Sequence, residues 1–349
     1  MQNKRNIWVD YAKGIGIILV VYGHVARGVF NAKIPMDTDV YRAIDSAIYT
    51  FHMPLFFFLS GLFFYESFSN KKWITFISGK IDTILYPYIL WSIIQGSIEV
   101  ILGNFTNGHV TFNEVFSLLW APRAQFWFLY SLFQIFLISS LIYIKGNRAI
   151  LIIISILASF AYLLHFEFFG INFLKSLLPH FCFFSFGVFY NSISSTIYKH
   201  KFKVVWPLLL AFIAGQLWFH LYANLDYTSL GWLQFLLALT SILFICIFCQ
   251  IIEKYHIPPL LALGSFSMTI YLAHVIAASA TRIVLKNIFH INNASIHLTL
   301  GLFIGLVGPI IFQKICNAIG LSFLFNIPQK LSLANTCKQF NMFKQKRNS

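Results

Sequence analysis

Apolar residues fill most of the chain in long runs that short polar and basic segments separate. A run of about 20 apolar residues forms a helix long enough to cross the hydrocarbon core of a bilayer. The pattern predicts an all-α, polytopic integral membrane protein of about ten transmembrane helices. These helices are expected at residues 12–31, 47–66, 82–102, 125–144, 149–165, 173–193, 204–223, 229–251, 263–286 and 297–320.

The composition agrees with a chain that has lipid as its solvent. It is 58% hydrophobic and 10% charged, whereas soluble domains have roughly 25% charged residues. The net charge of +14 comes from basic residues in short loops between the apolar runs. We therefore expect the lipid bilayer as a partner and no nucleic acid, because no basic module with base-stacking aromatic residues is present.

The distribution of lysine and arginine predicts the orientation of the chain. Cytoplasmic loops of membrane proteins carry an excess of these residues. An even number of spans with both termini in the cytoplasm puts most of the 25 basic residues on the inner side. We expect a multi-pass protein of the bacterial inner membrane, with a membrane-embedded domain at 1–327 and a loose, basic cytosolic tail at 328–349.

The first helix carries two ionisable residues on one face. Lys13 and His24 are eleven positions apart, which corresponds to three turns plus about 20° and to about 16 Å along the axis. Lys13 then lies at the cytoplasmic boundary and His24 lies within the membrane. An ionisable residue inside a membrane indicates function, although a neutral histidine that bonds two helices together is the alternative.

Two other predicted spans also carry embedded histidines. His52 lies about 8 Å below the outer surface, and His24 lies about 10 Å below it. His274 is on the ninth predicted helix, with Tyr271 one turn earlier on the same face. For His52 a structural role is the alternative, because Pro54 frees backbone groups that the imidazole can bond.

Histidine at such positions indicates proton transfer. A neutral imidazole can take a proton from a hydroxyl group, as transfer of an acyl group to an alcohol requires. The reaction also needs a donor for the developing oxyanion, for which Ser60, Tyr271 or a second histidine are candidates. A metal site is the rival interpretation, but carboxylates or close histidine pairs are missing from the pattern, so we expect no metal.

Several sequence motifs resemble one membrane family. They are Asp10–Gly14 (DYAKG), Val20–His24 (VVYGH), Phe51–Phe64 (FHMPLFFFLSGLFF), Phe126–Leu129 and Tyr271–His274. Together they resemble the acyltransferase-3 family, in its fucose-4-O-acetylase-like branch. The resemblance covers residues 5–320, and its most specific motifs lie in the first two helices.

The resemblance implies a ten-helix membrane O-acyltransferase. It implies acetyl-CoA or a similar acyl-CoA as the donor on the cytoplasmic side, and no permanently bound cofactor. The acceptor is then a hydroxyl of a surface polysaccharide or of a lipid-linked sugar. Many relatives have arginine at the position of Lys13, and lysine lacks the bidentate fork of arginine.

The candidate site residues fall into three groups. His24 is expected to be the general base or acyl relay, and His52 and Lys13 are placed with it as catalytic candidates. Lys13, Arg5 and Lys72 are candidates for binding the CoA phosphates, although charges that set the topology are the alternative. Candidates for acceptor binding are Arg123, Trp127, Tyr271, His274 and Ser60, with Arg282 also on the outer side.

Two other functional classes remain open at this point. A multi-span transporter or flippase of a glycan or small solute also fits the helix count, but internal repeats and paired midplane charges are not evident. An inactive scaffold leaves the embedded histidines unexplained. The sequence does not choose an oligomeric state. The remaining histidines considered are expected to be solvated or interfacial: His165, His180, His220, His256, His290 and His297.

Overall fold

A computed structural model describes residues 6–103, 110–143, 147–168 and 177–337. Within these ranges the secondary structure is helical and contains no β strand. The helices are α1 (Ile7–Asn31), α2 (Thr38–Tyr49), α3 (His52–Leu62), α4 (Phe64–Ser69), α5 (Trp73–Lys80), α6 (Tyr86–Ile101), α7 (Phe112–Phe116), α8 (Trp127–Ile142), α9 (Arg148–Phe168), α10 (Leu178–Lys199), α11 (Lys201–Leu217), α12 (Trp232–Ile252), α13 (Pro258–Ser265), α14 (Ser267–Ile283) and α15 (Ala294–Ala318).

Eight helical stretches in the described part of the chain are long and apolar enough to cross a membrane. They are Ile7–Asn31, Thr38–Ser69, Trp73–Ile101, Phe112–Ile142, Lys201–Tyr222, Trp232–Tyr255, Ser267–Ile288 and Ala294–Ala318. Helices α9 and α10 coincide with the two other predicted spans. The all-helical polytopic class is confirmed, while the number ten and the cytoplasmic termini stay predictions.

The second predicted helix is interrupted just before its histidine. The sequence predicted one helix at 47–66, but α2 ends at Tyr49 and α3 begins at His52. Proline has no N–H, and its ring clashes with the carbonyl group four residues earlier in a regular helix. For Pro54 that carbonyl belongs to Thr50, where the break occurs. His52 is therefore the first residue of a new helix.

The ninth predicted helix is also divided. The sequence predicted 263–286, whereas the structure has α13 followed by α14, with a turn at Phe266 between them. A π-helical turn, Val284–Ile288, extends α14. Pro258 starts α13 at the first helical position, where its missing N–H removes no intrahelical bond.

The described chain forms two compact units. The first consists of Met1–Leu59 with Tyr190–Ile311, and the second of Ser60–Phe189 with Phe312–Ser349. In the first unit α1 packs against α12, α13 and α14. Because three helices cover it, more than half of α1 is buried, including its polar residue Asp10.

Helices α1 and α13 approach each other until their backbones touch. A Cβ atom added at Gly264 would lie 1.8 Å from the carbonyl oxygen of Asp10. One added at Gly14 would lie 2.6 Å from the carbonyl oxygen of Leu260. Glycine is thus required on both helices, and this contact fixes the end of α1 that carries Lys13.

The second unit contains an aromatic cluster and a docked C-terminal segment. Rings of Phe64, Phe76, Phe136 and Phe184 lie in contact with one another. The carboxylate of Asp82 accepts hydrogen bonds from the Ser332 hydroxyl at 2.7 Å and from the backbone N–H groups of residues 333 and 334. The expected looseness of the tail from residue 328 is therefore wrong for this segment.

We expect Gly264→Ala to destabilise the protein because the new methyl group meets the α1 backbone. Forcing extra volume into a packed site costs about 1–3 kcal/mol, occasionally more. Thermal unfolding of the purified protein in detergent should show a lower midpoint for this variant. Gly308→Ala is the matched control, because its Cβ would have ordinary contacts of 3.6 Å or longer. Equal midpoints for the two variants would contradict the close approach.

Candidate functional site

Two of the three predicted histidines are in direct contact within the first unit. The rings of His24 on α1 and His274 on α14 have centroids 5.0 Å apart, with an edge-to-face angle of 62°. His274 is fully buried at 0% exposure, and His24 is half-buried. The packing of α14 against α1 thus brings together residues that are far apart in the sequence.

The hydrogen bonds of His274 define which of its nitrogens carries the proton. Its Nδ1 lies 3.0 Å from the carbonyl oxygen of Ile270 and 2.9 Å from that of Tyr271. A carbonyl oxygen only accepts, so Nδ1 is the donor and Nε2 keeps its lone pair in the neutral ring. This Nε2 is buried and has no hydrogen-bond partner among the described residues.

The imidazole of His24 lines a small cavity. The cavity has a volume of about 40 Å³, room for roughly three water molecules by the volume that each needs. It therefore fits one small functional group rather than a sugar ring. Its walls are formed by His24, Val25, Gly28, Val29, Val275, Ala278, Ser279, Arg282 and His297.

Two basic side chains complete the polar part of this cavity. Arg282 donates from Nη1 to the carbonyl oxygen of Gly28 at 2.8 Å. His297 is only 2% exposed, and its Nε2 donates to the carbonyl oxygen of Ile291 at 2.8 Å. The expectation that His297 is solvated is wrong, because Gly301 on α15 packs against Val25 of α1 and His297 lies one turn earlier on the same helix; its interfacial depth stays a prediction.

An ion pair that the sequence analysis did not single out lies one turn beyond His24. Arg27 binds Asp45 of α2 in a bidentate arrangement, with both N–H···O distances at 2.8 Å. The guanidinium carbon lies 3.3 Å from the ring centroid of Tyr49 and 5.1 Å from that of Tyr227. One sequence feature could have indicated that Arg27 lies near the site: it follows His24 by three residues, on the same helix face.

His52 lies beside this ion pair and does not line the cavity. Its Nδ1 donates to the carbonyl oxygen of Ile48 at 2.8 Å, and its ring packs edge-to-face with that of Tyr49, with centroids 4.4 Å apart. A Cβ at Gly23 would come within 2.9 Å of Tyr49, so this tyrosine packs directly on α1. His52 thus adjoins the site through Tyr49, while His274 adjoins His24 itself.

The residues proposed for CoA binding lie elsewhere. Lys13 is 36% exposed and its Nζ is 3.9 Å from the Asp10 carboxylate. Along α1 it stays about 16 Å from His24. Lys72 is exposed at the start of α5 in the second unit. Arg5 lies outside the described residues.

Three acceptor candidates belong to the second unit. Arg123 pairs with Glu99 at 3.3 Å beside a buried pair of amides, Gln95 and Gln125. The ring of Trp127 lies 5.0 Å from that of His180. Ser60 is half-buried on α3.

Tyr271, in the first unit, is buried close to His274. The centroids of the two rings are 6.2 Å apart, as the spacing of one helical turn predicts. The structure therefore brings His24, His274 and Tyr271 together in one region of the first unit.

Comparison with known proteins identifies the family. The acyltransferase-3 model, described as an acyltransferase domain, matches residues 6–314, which include every helix around the cavity. The chain belongs to the acyltransferase-3 family. Membership agrees with the resemblance that the motifs of the first two helices indicated and with the multi-pass, all-helical fold.

Two curated relatives carry the same name. The nodulation protein NolL of Sinorhizobium fredii is 27% identical over 210 residues, which are 57% of this chain and 53% of the relative. NolL of Mesorhizobium japonicum is 32% identical over 91 residues, covering 26% of this chain and 23% of the relative. The chain thus spans about half, or less, of the length of these relatives. It matches no solved structure.

We expect Arg27→Gln and Asp45→Asn each to lower stability by up to about 3 kcal/mol. Breaking a fully buried pair costs about 3–5 kcal/mol, and the Arg27 side chain is 29% exposed. The double variant should be more stable than the sum of the two losses predicts, because neither charge is then left without its partner. Thermal unfolding of the four proteins measures this coupling, and strictly additive losses would argue against the ion pair.

Proposed function

We propose that the protein transfers an acetyl group, or a similar small acyl group, from cytoplasmic acetyl-CoA to a sugar hydroxyl. The acceptor is a surface polysaccharide or a lipid-linked sugar at the outer side of the bacterial inner membrane. Family membership supports acyl transfer. The single observation that supports the chemistry is the contact of His24 with His274 at a cavity among apolar helices.

In the proposed reaction His24 takes the proton of the acceptor hydroxyl. The hydroxyl oxygen then attacks the carbonyl carbon of the thioester, and the C–S bond breaks as the ester C–O bond forms. The proton on His24 passes to the departing thiolate, which leaves as free CoA. A neutral imidazole is suited to both transfers near pH 7, because it can accept and return the proton without a large change in free energy.

The surroundings of His24 support its role as a proton acceptor. None of the hydrogen bonds among the described residues occupies its ring nitrogens. The neighbouring Nε2 of His274 also keeps a lone pair, so it can orient a proton-bearing nitrogen of His24 when the two rings adjust. His274 is a positioning residue in this proposal.

Lys13 of the first unit and, separately, Lys72 of the second unit are each proposed as candidates for binding the anionic part of CoA. Lys13 is partly exposed in the N-terminal part of α1. Lys72 is exposed at the start of α5. Phosphate binding needs cations that water and a diffusing ligand can reach. Both side chains meet that requirement, whereas His24 lies further along α1.

Replacing His24 by alanine should abolish acyl transfer while the folded protein is retained. Loss of a general base lowers the rate by about 10²–10⁴-fold. Membranes containing the variant are incubated with radiolabelled acetyl-CoA, and the label in surface glycan and lipid-linked sugar is measured. His200→Ala is the control, because His200 is exposed between α10 and α11 and, among the described residues, its ring bonds only the carbonyl oxygen of Thr196.

Retained labelling in the His24→Ala protein would reject this role. Loss of labelling in both variants would point to a general effect on folding, which size-exclusion chromatography of the purified proteins reveals. Glycan movement across the membrane without any label in the wild type would favour the transporter alternative.

Two substitutions at His274 should separate positioning from packing. In His274→Gln the amide reaches the position of Nε2, whereas in His274→Asn the amide replaces the Nδ1 donor and leaves the Nε2 position empty. If Nε2 positions His24, the glutamine variant should keep more of the wild-type kcat than the asparagine variant. The reverse order would show that the hydrogen bonds to residues 270 and 271 matter more.

A further inference from the structure

The first unit contains two arginines near His24, and only one of them has its charge neutralised. Arg27 is matched by the Asp45 carboxylate. Arg282 has no ion pair with any described acidic residue, and its one hydrogen bond to the described chain goes to the carbonyl oxygen of Gly28. A guanidinium has five N–H donors, so most of its donors are uncommitted.

A structural role for Arg282 accounts for only part of this arrangement. The last carbonyl groups of a helix lack intrahelical partners, and nearby basic side chains often bond them. Lys286 bonds the carbonyl oxygen of Ala32 in this way at 2.7 Å. Arg282, one turn earlier, donates to the carbonyl oxygen of Gly28, which also accepts the backbone N–H of Ala32. The two cations differ in one respect: Arg282 lines the cavity beside His24, and Lys286 does not.

The cavity offers Arg282 no negative charge of its own. Apart from the three basic residues and Ser279, its walls are formed by glycine and the apolar residues Val25, Val29, Val275 and Ala278. A half-buried cation in such surroundings is stabilised by an anion, and guanidinium binds carboxylate and phosphate oxygens through parallel N–H···O bonds. The volume of about 40 Å³ admits one small group.

We propose that this cavity is a subsite for a single anionic group of a substrate, bound by Arg282 next to His24. The bound group is a carboxylate or a phosphate oxygen group. This proposal rests on the function proposed above and names the chemistry of one substrate more closely. The anion belongs either to an acyl group with a terminal carboxylate, as in succinyl-CoA, or to a phosphorylated or acidic acceptor.

Direct binding tests the subsite without any turnover. The purified protein in detergent is titrated with inorganic phosphate and with succinate at constant ionic strength, and the shift in its unfolding midpoint is recorded. We expect saturable stabilisation of the wild type and of Lys286→Gln. Arg282→Gln should bind at least about tenfold more weakly, and Arg282→Lys, which keeps the charge, should fall between them.

Activity measurements with two donors and two acceptors then assign the anion to its source. If the acyl group carries it, Arg282→Gln should lower transfer from succinyl-CoA at least about tenfold more than it lowers transfer from acetyl-CoA. If the acceptor carries it, Arg282→Gln should raise KM for a phosphate-linked sugar at least about tenfold more than KM for a neutral glycoside, with either donor. Lys286→Gln removes only a bond to the end of α1, so any loss that it shows should be equal for both donors and for both acceptors.

The outcomes keep the two proposals apart. Absence of saturable anion binding, or equal binding by Arg282→Gln and the wild type, overturns the anion subsite even if His24→Ala is inactive. Saturable binding that depends on Arg282, in a protein whose His24→Ala variant retains full transfer, supports the subsite and rejects the role of His24.

Discussion

The ion pair between Arg27 and Asp45 is the interaction on which the geometry around His24 depends. It joins α1 to α2 through two short, charge-assisted hydrogen bonds, and the guanidinium lies against the face of Tyr49. Tyr49 in turn contacts His52 and packs on α1 at Gly23. The two hydrogen bonds of a bidentate pair offset the free-energy cost of removing both charges from water. An isolated buried charge has no such compensation.

The same region also contains buried nitrogens that the fold leaves without partners. Nε2 of His274 and Nδ1 of His297 are both buried and accept no hydrogen bond from the described residues. A buried polar group without a partner costs about 1–3 kcal/mol. The Tyr49 hydroxyl beside Arg27 is also buried without a partner among the described residues, so this cost is not limited to the cavity. Of these three atoms, Nδ1 of His297 is the one whose residue lines the cavity, and a bound group that donates a hydrogen bond to it recovers its share of the cost.

The fold class could be predicted because lipid imposes a simple rule on helix length and hydrophobicity. Single-helix features followed from local geometry, such as the position of Tyr271 beside His274. The break before His52 could have been foreseen from Pro54.

The sequence could not show which helices are neighbours. The depth estimates put His24 and His52 at a similar level, but it is His274 on α14 that lies against His24. The pairing of Arg27 with Asp45, and the burial of His297, likewise arise from packing between helices.

Helix α1 is held at both ends, and this gives His24 a fixed position between them. Near its start the backbone of Asp10 touches Gly264 of α13. Near its end Arg282 and Lys286 bond the carbonyl groups of Gly28 and Ala32. A catalytic group acts efficiently when its position is set before the substrate binds, because the entropy of ordering is then already lost. Arg282 therefore joins two functions in one side chain: it holds the end of α1 and faces the cavity that His24 lines.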